Sequence, residues 1–239
     1  MKRIWLGVAI TLIVAGLGTV GCALLLSGFD LKKFSGEPFE SKTHGVEGTF
    51  SEISIDASTF DIEFRRSEDG SCRIVTRENE TYSLNAAVEG NTLKITSHEK
   101  KKWNWFFTLN FESPKMTLYL PETEYEKLTV KVSTGEIKIS DIKAKTVSIH
   151  TGTGDVQLDS VVASEMMSIE TSTGDVRLDG CDSSAIKIKT STGDVNGTLL
   201  TPKTFRTETS TGTVRVPSGS YPETCEIKTS TGDIKMTVK

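Results

Sequence analysis

Histidine and cysteine are scarce, three and four in 239 residues. A catalytic zinc centre gathers three or more such ligands, yet His44, His98 and His150 are scattered and no Cys-x-x-Cys occurs. Also missing are Gly-x-Ser-x-Gly, a phosphate-binding glycine loop and His-Glu-x-x-His, so there is no sign of a nucleophile elbow, a nucleotide cradle or a zincin helix. Basic residues are not in excess: 28 Lys and Arg face 32 Asp and Glu, a net charge of −4. Beyond residue 29 the balance is 26 to 32, which argues against a general nucleic-acid binder. No cofactor and no enzymatic activity are expected. The enzyme alternative is a β-helix glycan-active protein working through paired carboxylates. Here the acidic residues follow a repeat, and no unit departs from it to build a cleft.

Charge is missing altogether from Ile4 to Phe29, 26 residues that follow Met1-Lys2-Arg3. As a helix this run would reach ~39 Å, beyond the ~30 Å hydrocarbon core of a bilayer. A retained transmembrane anchor over residues 1–29 is the expectation. Simple signal-peptide cleavage is one alternative, but it uses a shorter apolar run of roughly 7–15 residues. Lipoprotein processing at Cys22 is another. Gly21 suits it, whereas Thr19 stands where an aliphatic residue is wanted and Ala23-Leu24-Leu25-Leu26 continues the run. Lys2 and Arg3 favour a cytoplasmic N-terminus, which would put everything after about residue 30 outside the cytoplasm. Residues 30–45 read as a polar linker from the membrane.

What the sequence has in abundance is repetition. Ser-Thr-Gly or a near equivalent ends at Gly135, Gly154, Gly174, Gly193, Gly212 and Gly232, with spacings of 19, 20, 19, 19 and 20. Two residues after each glycine stand Ile137, Val156, Val176, Val195, Val214 and Ile234. Five before it stand Val130, Ile149, Ile169, Ile188, Thr207 and Ile227. Such columns mark a solenoid whose units bury their apolar faces against one another. Period-two alternation of β-branched residues means strands. The apolar positions are odd-numbered before the glycine and even-numbered after it, so the chain must bend there, where glycine tolerates positive φ. Each ~19–20-residue rung then holds two short strands joined at a Ser-Thr-Gly-Asp corner, and equivalent strands stack in parallel about 4.8 Å apart. The expected fold is all-β, a parallel β-helix or β-roll over residues 128–239, of either hand. Residues 46–127 are its N-terminal β region. There Ile53–Phe64 aligns as a degenerate rung with Phe60 in place of glycine. Strand-like runs at Cys72–Thr76, Thr92–Thr96, Trp105–Phe111 and Met116–Leu120 suggest hairpins.

Met116-Thr-Leu-Tyr-Leu-Pro121, then Leu128-Thr-Val-Lys-Val-Ser-Thr-Gly-Glu-Ile137, then serial Ser-Thr-Gly-Asp-Val resembles the bacterial "putative adhesin", LiaG-like domain family, over roughly residues 47–239. The resemblance implies an all-β solenoid outside the membrane with an anchor ahead of it, linked to the cell envelope or its stress responses. Phe60, Gly152 and Thr213 depart from the corner pattern.

Several columns carry candidate chemistry. Glu136, Asp155, Asp175, Asp194 and Asp233 follow the corner glycines, interrupted by Thr213. A line of carboxylates can recruit Ca²⁺, with Asp155, Asp175, Asp194 and Asp233 as the candidate ligands. Yet no second carboxylate recurs beside them, and aspartate after a turn glycine commonly satisfies backbone amides. The second reading is preferred, and no metal is expected. Thr-x-Thr recurs at Thr151/Thr153, Thr171/Thr173, Thr190/Thr192, Thr209/Thr211 and Thr229/Thr231. An outward ladder of this kind would suit ice, but both positions share parity with the inward isoleucines, so both are expected to point inward. Cys181, in a column with Ile142, Val161 and Leu200, and Cys225, in that of Phe205, read as small core residues. A disulfide between them is not expected.

Lys100-Lys101-Lys102-Trp103-Asn104-Trp105-Phe106-Phe107 is the most distinctive stretch outside the repeat. Basic residues beside aromatics suit an anionic membrane surface or a glycan, which makes Lys100, Lys101, Lys102, Trp103 and Trp105 the candidate surface-binding residues. The plainer alternative is a hairpin with a solvated charge run. Taken together, the sequence predicts an anchored, adhesin-like interaction or structural module at the cell envelope. Its partners would be cell wall, lipid or a membrane protein. The alternative function is an accessory role in envelope-stress signalling through a membrane-protein partner. The chain stops at Lys239, right after a half-rung with no evident cap, so a homo-oligomer through that C-terminal edge is also expected.

Overall fold

The computed structural model describes residues 38–100 and 113–239, together with helical residues 11–16, 18, 19, 22 and 25. The chain divides into two compact units: Met1–Glu37 with Lys101–Glu112, and Pro38–Lys100 with Ser113–Lys239. Among the described residues no helix is long and apolar enough to cross a membrane. The anchor expected over residues 1–29 lies largely outside them.

The second unit is built entirely of strands. Its first half holds β1 (Glu40–Gly45), β2 (Glu52–Thr59), β3 (Asp61–Arg66), β4 (Arg73–Glu78), β5 (Tyr82–Glu89), β6 (Thr92–Glu99) and β7 (Lys115–Leu120). Then follow β8 (Glu124–Thr134), β9 (Ile137–Ser140), β10 (Lys143–Thr153), β11 (Val156–Asp159), β12 (Val162–Thr173) and β13 (Val176–Thr192). The last are β14 (Val195–Leu199), β15 (Thr204–Thr211), β16 (Val214–Arg215), β17 (Thr224–Thr231) and β18 (Ile234–Val238).

Each rung contributes one strand to each of two facing sheets. The first sheet runs β5–β6–β2–β8–β10–β12–β13–β17–β15. The second runs β1–β4–β7–β3–β9–β11–β13–β14–β18–β16. The long β13 serves both, closing one rung and opening the next. Between the sheets the β-branched columns meet: Val130, Ile149, Ile169 and Ile188 from one side, Ile137, Val156, Val176 and Val195 from the other, all buried. Each such side chain contributes about 1.5–3 kcal/mol by leaving water.

The rungs do not stack in chain order. β17–β18 lies between β13–β14 and β15–β16, so the expected edge at Lys239 is inside the stack and the terminal rung is β15–β16. Burial agrees. Ile227 and Ile234 are fully covered, while Thr207 is only half-buried and Val214 is 42% exposed. Gly197, which breaks an apolar column, is explained by the same arrangement. It pairs with Leu178 on one side and Met236 on the other, and a Cβ there would lie 3.0 Å from the Met236 methyl carbon. The methionine fills the space that the glycine leaves.

The N-terminal half departs from expectation in the same way. Thr92–Thr96 does lie in a hairpin, β6 turning back on the preceding strand across Gly90 and Asn91, whereas Met116–Leu120 has no hairpin partner next to it in the chain. Both runs belong to β6 and β7, two halves of one rung that stack in parallel on β2 and β3. The strand β5, unread in the sequence, pairs antiparallel with β6, and β4 pairs antiparallel with β7. The polar stretch over residues 30–45 contains β1, paired antiparallel with β4. Trp105–Phe111 lies outside the described residues. Core position also shifts by one at the end of β14: Leu199 is buried there and Leu200 exposed, because a register shift at Cys181 intervenes.

Candidate functional site

The corner is the repeating unit of this surface. At Gly135, Gly154, Gly174, Gly193, Gly232 and Gly212, φ lies between 142° and 150°, a region closed to residues with a Cβ. A Cβ would also stand 2.0–2.1 Å from the carbonyl oxygen of the neighbouring corner. Two independent constraints therefore demand glycine. The N–H of Gly154 donates to Thr173 O and that of Gly174 to Thr192 O, each at 2.9 Å, so successive corners are stitched by backbone bonds.

The acidic column completes the stitching. Asp155 Oδ1 accepts the Asp175 N–H at 2.9 Å, Asp175 accepts that of Asp194 at 2.8 Å, and Asp194 that of Asp233 at 2.7 Å. Asp233 accepts the Thr213 N–H at 2.7 Å, a bond that holds its carboxyl below the usual range. Each carboxylate thus serves the amide of the next rung. Thr213 itself sits in the terminal rung, where no further amide waits for an acceptor. Among the described residues no three His, Cys, Asp or Glu side chains gather as a metal would need.

The paired threonines divide. Thr151, Thr171, Thr190 and Thr229 are buried, whereas Thr153, Thr173, Thr192, Thr211 and Thr231 are exposed. The inward expectation fails for the second set because the bend toward the corner begins before the glycine. Thr229 Oγ1 donates to Gly193 O at 3.2 Å, so the inward hydroxyls reach across rungs where geometry allows.

One corner is interrupted. Elsewhere one residue, Phe60, separates β2 from β3, and two separate the strands at the other corners, as Gly135 and Glu136 separate β8 from β9. Between β6 and β7 stand residues 100–114. The backbone ladder between β2 and β6 ends at Asp56 and Thr96, and beyond it the Ser97 hydroxyl accepts the Ser58 N–H at 2.8 Å. The ladder resumes where Asp61 N–H donates to Pro114 O at 2.9 Å. Lys100 is exposed at the root of this excursion, its N–H donating to Thr81 O. The other candidates, Lys101, Lys102, Trp103 and Trp105, lie outside the described residues.

Two charged clusters had no signal in the sequence. The Lys203 ammonium is fully buried, 2.6 Å from Asp182 Oδ1 and 2.6 Å from Thr201 Oγ1, and also paired with Glu223. It ties three rungs together. Near β1 the polarity is reversed: the buried Glu78 carboxylate accepts from Thr76 Oγ1 at 2.8 Å and pairs with Lys42 at 3.4 Å. His44 Nε2 lies 3.4 Å from it, without hydrogen-bond alignment. A lysine after proline in a turn and a glutamate in a strand both read as solvated charges, and only tertiary neighbours reveal them.

The three thiols of the strand unit are poor nucleophiles. Cys72, Cys181 and Cys225 are unbridged. Burial pushes them up to about 11, about 11 and about 12 respectively, leaving the thiol form dominant at neutral pH.

Parallel rungs, two facing sheets and glycine-aspartate corners define a two-sheet β-solenoid. The family model described as Toastrack DUF4097 matches residues 50–239, and the chain belongs to that family. A crystal structure of a "putative cell adhesion protein" from Clostridium sporogenes is similar over 84% of this chain and 100% of that one, at 13% identity and a TM-score of 0.52. One of a "putative adhesin" from Bacteroides fragilis covers 84% of this chain and 98% of its own, at 16% identity and a TM-score of 0.48. At such identity the first likeness is one of fold. No curated protein matches the sequence.

Proposed function

We propose that this chain is a non-catalytic, adhesin-like interaction module, anchored in the membrane by its N-terminal segment and facing the cell envelope from outside the cytoplasm. The observation that carries the reading is the interrupted corner. The corner aspartates Asp155, Asp175, Asp194 and Asp233 are each spent on an amide of the neighbouring rung, whereas among the described corners the one between β6 and β7 is split by residues 100–114, which include Lys100–Lys102, Trp103 and Trp105. Tryptophan and lysine together suit the headgroup region of an anionic membrane or a glycan strand. For the anchor, the support is the 26-residue uncharged run and the exposure of Leu12, Ile13 and Val14 in its helical part. Apolar side chains left uncovered by the protein are what a bilayer would cover.

The test reconstitutes the full chain into neutral vesicles and mixes these with isolated cell walls or with anionic vesicles. Co-sedimentation with walls, or clustering with anionic vesicles, is expected, and Trp103→Ala with Trp105→Ala abolishes it. Absence of both interactions would overturn envelope recognition through this segment, and crosslinking in the intact membrane would then look for the membrane-protein partner of a signalling accessory.

A further inference from the structure

We propose that β15 pairs antiparallel with β15 of a second copy of this chain, forming a closed two-fold dimer centred on Thr207. The proposal is independent of the envelope reading. It begins with the free side of the terminal rung. Thr204 N–H donates to Glu223 O, as the parallel register of Thr204 with Thr224 requires. Backbone groups alternate in direction along a strand. Thr204, Arg206 and Glu208 therefore bond to β17, and the N–H and C=O groups of Phe205, Thr207 and Thr209 face the open edge. Among the described residues no strand lies beyond β15.

Open edges recruit further strands unless charge forbids it. Here charge selects the partner. Arg206 and Glu208 flank Thr207 on the outward face, and both are exposed. In an antiparallel pair centred on Thr207, each Arg206 stands opposite the partner's Glu208. These are the non-hydrogen-bonded positions, where side chains approach most closely. The match extends one strand further. Arg206 neighbours Glu226 on β17, and Glu208 neighbours Lys228, with an ion pair at 3.4 Å. Across the dimer one row would read Glu226, Arg206, then the partner's Glu208 and Lys228, alternating in sign throughout. The second row repeats it by symmetry. On the inward face, Phe205 would lie across from Thr209. Phe205 is only half-buried, unlike Ile186 in the same column.

Such an interface uses the same strand on both copies, so it consumes the edge and stops. The exposed Val214 and Tyr221 at this end add apolar surface beside the seam.

The test is sedimentation equilibrium of the full chain in density-matched detergent. Wild type should move from the 26.1 kDa monomer toward a protein mass twice that as concentration rises. Arg206→Glu and Glu208→Arg should each weaken association by at least about tenfold through like-charge opposition. The double variant Arg206→Glu with Glu208→Arg should recover association to within about threefold of wild type, because it restores the same pairs in reverse. Hydrogen exchange supplies a readout free of substitution: the Phe205, Thr207 and Thr209 amides should gain protection with concentration. A monomer persisting at about 100 µM, above the range expected of even a small interface, would overturn the proposal. So would a dimer indifferent to both single reversals, which would lie on another surface. Open-ended association would overturn it as well, since a two-fold seam closes.

Discussion

At one end of the stacked rungs the chain turns back: β4 lies antiparallel on β7, β5 on β6, and β1 outside β4. At the other end, among the described residues, nothing turns back. β15 and β16 are rung strands like any other, parallel to β17 and β18, with one side left open. The clamps near the two ends mirror this difference. Glu78, a buried acid, is gripped by side chains of a strap that covers the end. Lys203, a buried base, is gripped by residues of the rungs themselves and fixes an insertion. The contrast teaches that a repeat protein can finish itself in two ways. It can cover the last rung with strands of another direction, or it can make the last rung different and leave the edge for something else.

The largest test of that contrast removes chain from each side. Deleting Ile234–Lys239 takes β18 from between β14 and β16 and empties the core of Ile234 and Met236. At about 2–5 kcal/mol for each large apolar side chain, the expected loss is about 5 kcal/mol or more, seen as a collapsed urea midpoint. A chain beginning at Val46 loses, from the strand unit, the edge strand β1 and the Phe39 ring stacked on Tyr82, and lets Glu78 meet water. Its expected loss is about 1–2 kcal/mol. Comparable losses from both truncations would break the contrast.

A smaller effect is expected from Lys203→Met. It leaves Asp182 and Glu223 without their cation, and removing one partner of a buried pair costs about 3–5 kcal/mol. Glu223 is partly exposed, so about 2–3 kcal/mol is expected here, measured by urea unfolding. Exchange protection should fall in β15–β16 before it falls in β8–β11. The smallest effect is electrostatic. The Asp233 carboxyl is lowered in the folded state by the Thr213 amide, so its contribution is present above the ordinary aspartate value near 3.9 and is lost as pH falls through the lowered one. Acidification below about pH 4 should therefore loosen the terminal rung first, read as faster exchange at Thr213, and Asp233→Asn should flatten that dependence.

Membership of the stack was legible from the residues. Six glycines and the β-branched columns gave the strands, the corner and the inward face, because burial on a pleated surface imposes a period that composition must obey. Neighbour order was not legible, since a 20-residue step from Gly212 to Gly232 looks the same whether the next rung lies above or below. Three residues nonetheless carried the information. Thr213 replaces the aspartate because no amide follows it, Thr207 replaces isoleucine because its face is half open, and Gly197 makes room for Met236. The interrupted rung was missed for a different reason. With residues 100–114 between its halves, β6 and β7 share no local pattern, and only their separate registers on β2 and β3 join them. The excursion itself was conspicuous by composition, whereas the Lys203 and Glu78 clusters depend on neighbours far apart in the chain.

The inserted rung also bears on time. In a stack whose order follows the chain, each rung can settle on its predecessor as soon as it is made, and growth at one end suffices. Here β15 and β16 are synthesised before β17 and β18, yet have no place to rest until those later strands have filled the gap beside β13 and β14. The earlier pair must wait, tethered but unseated, for the later pair. Assembly of this end is therefore a single concerted closure of two rungs rather than two successive additions.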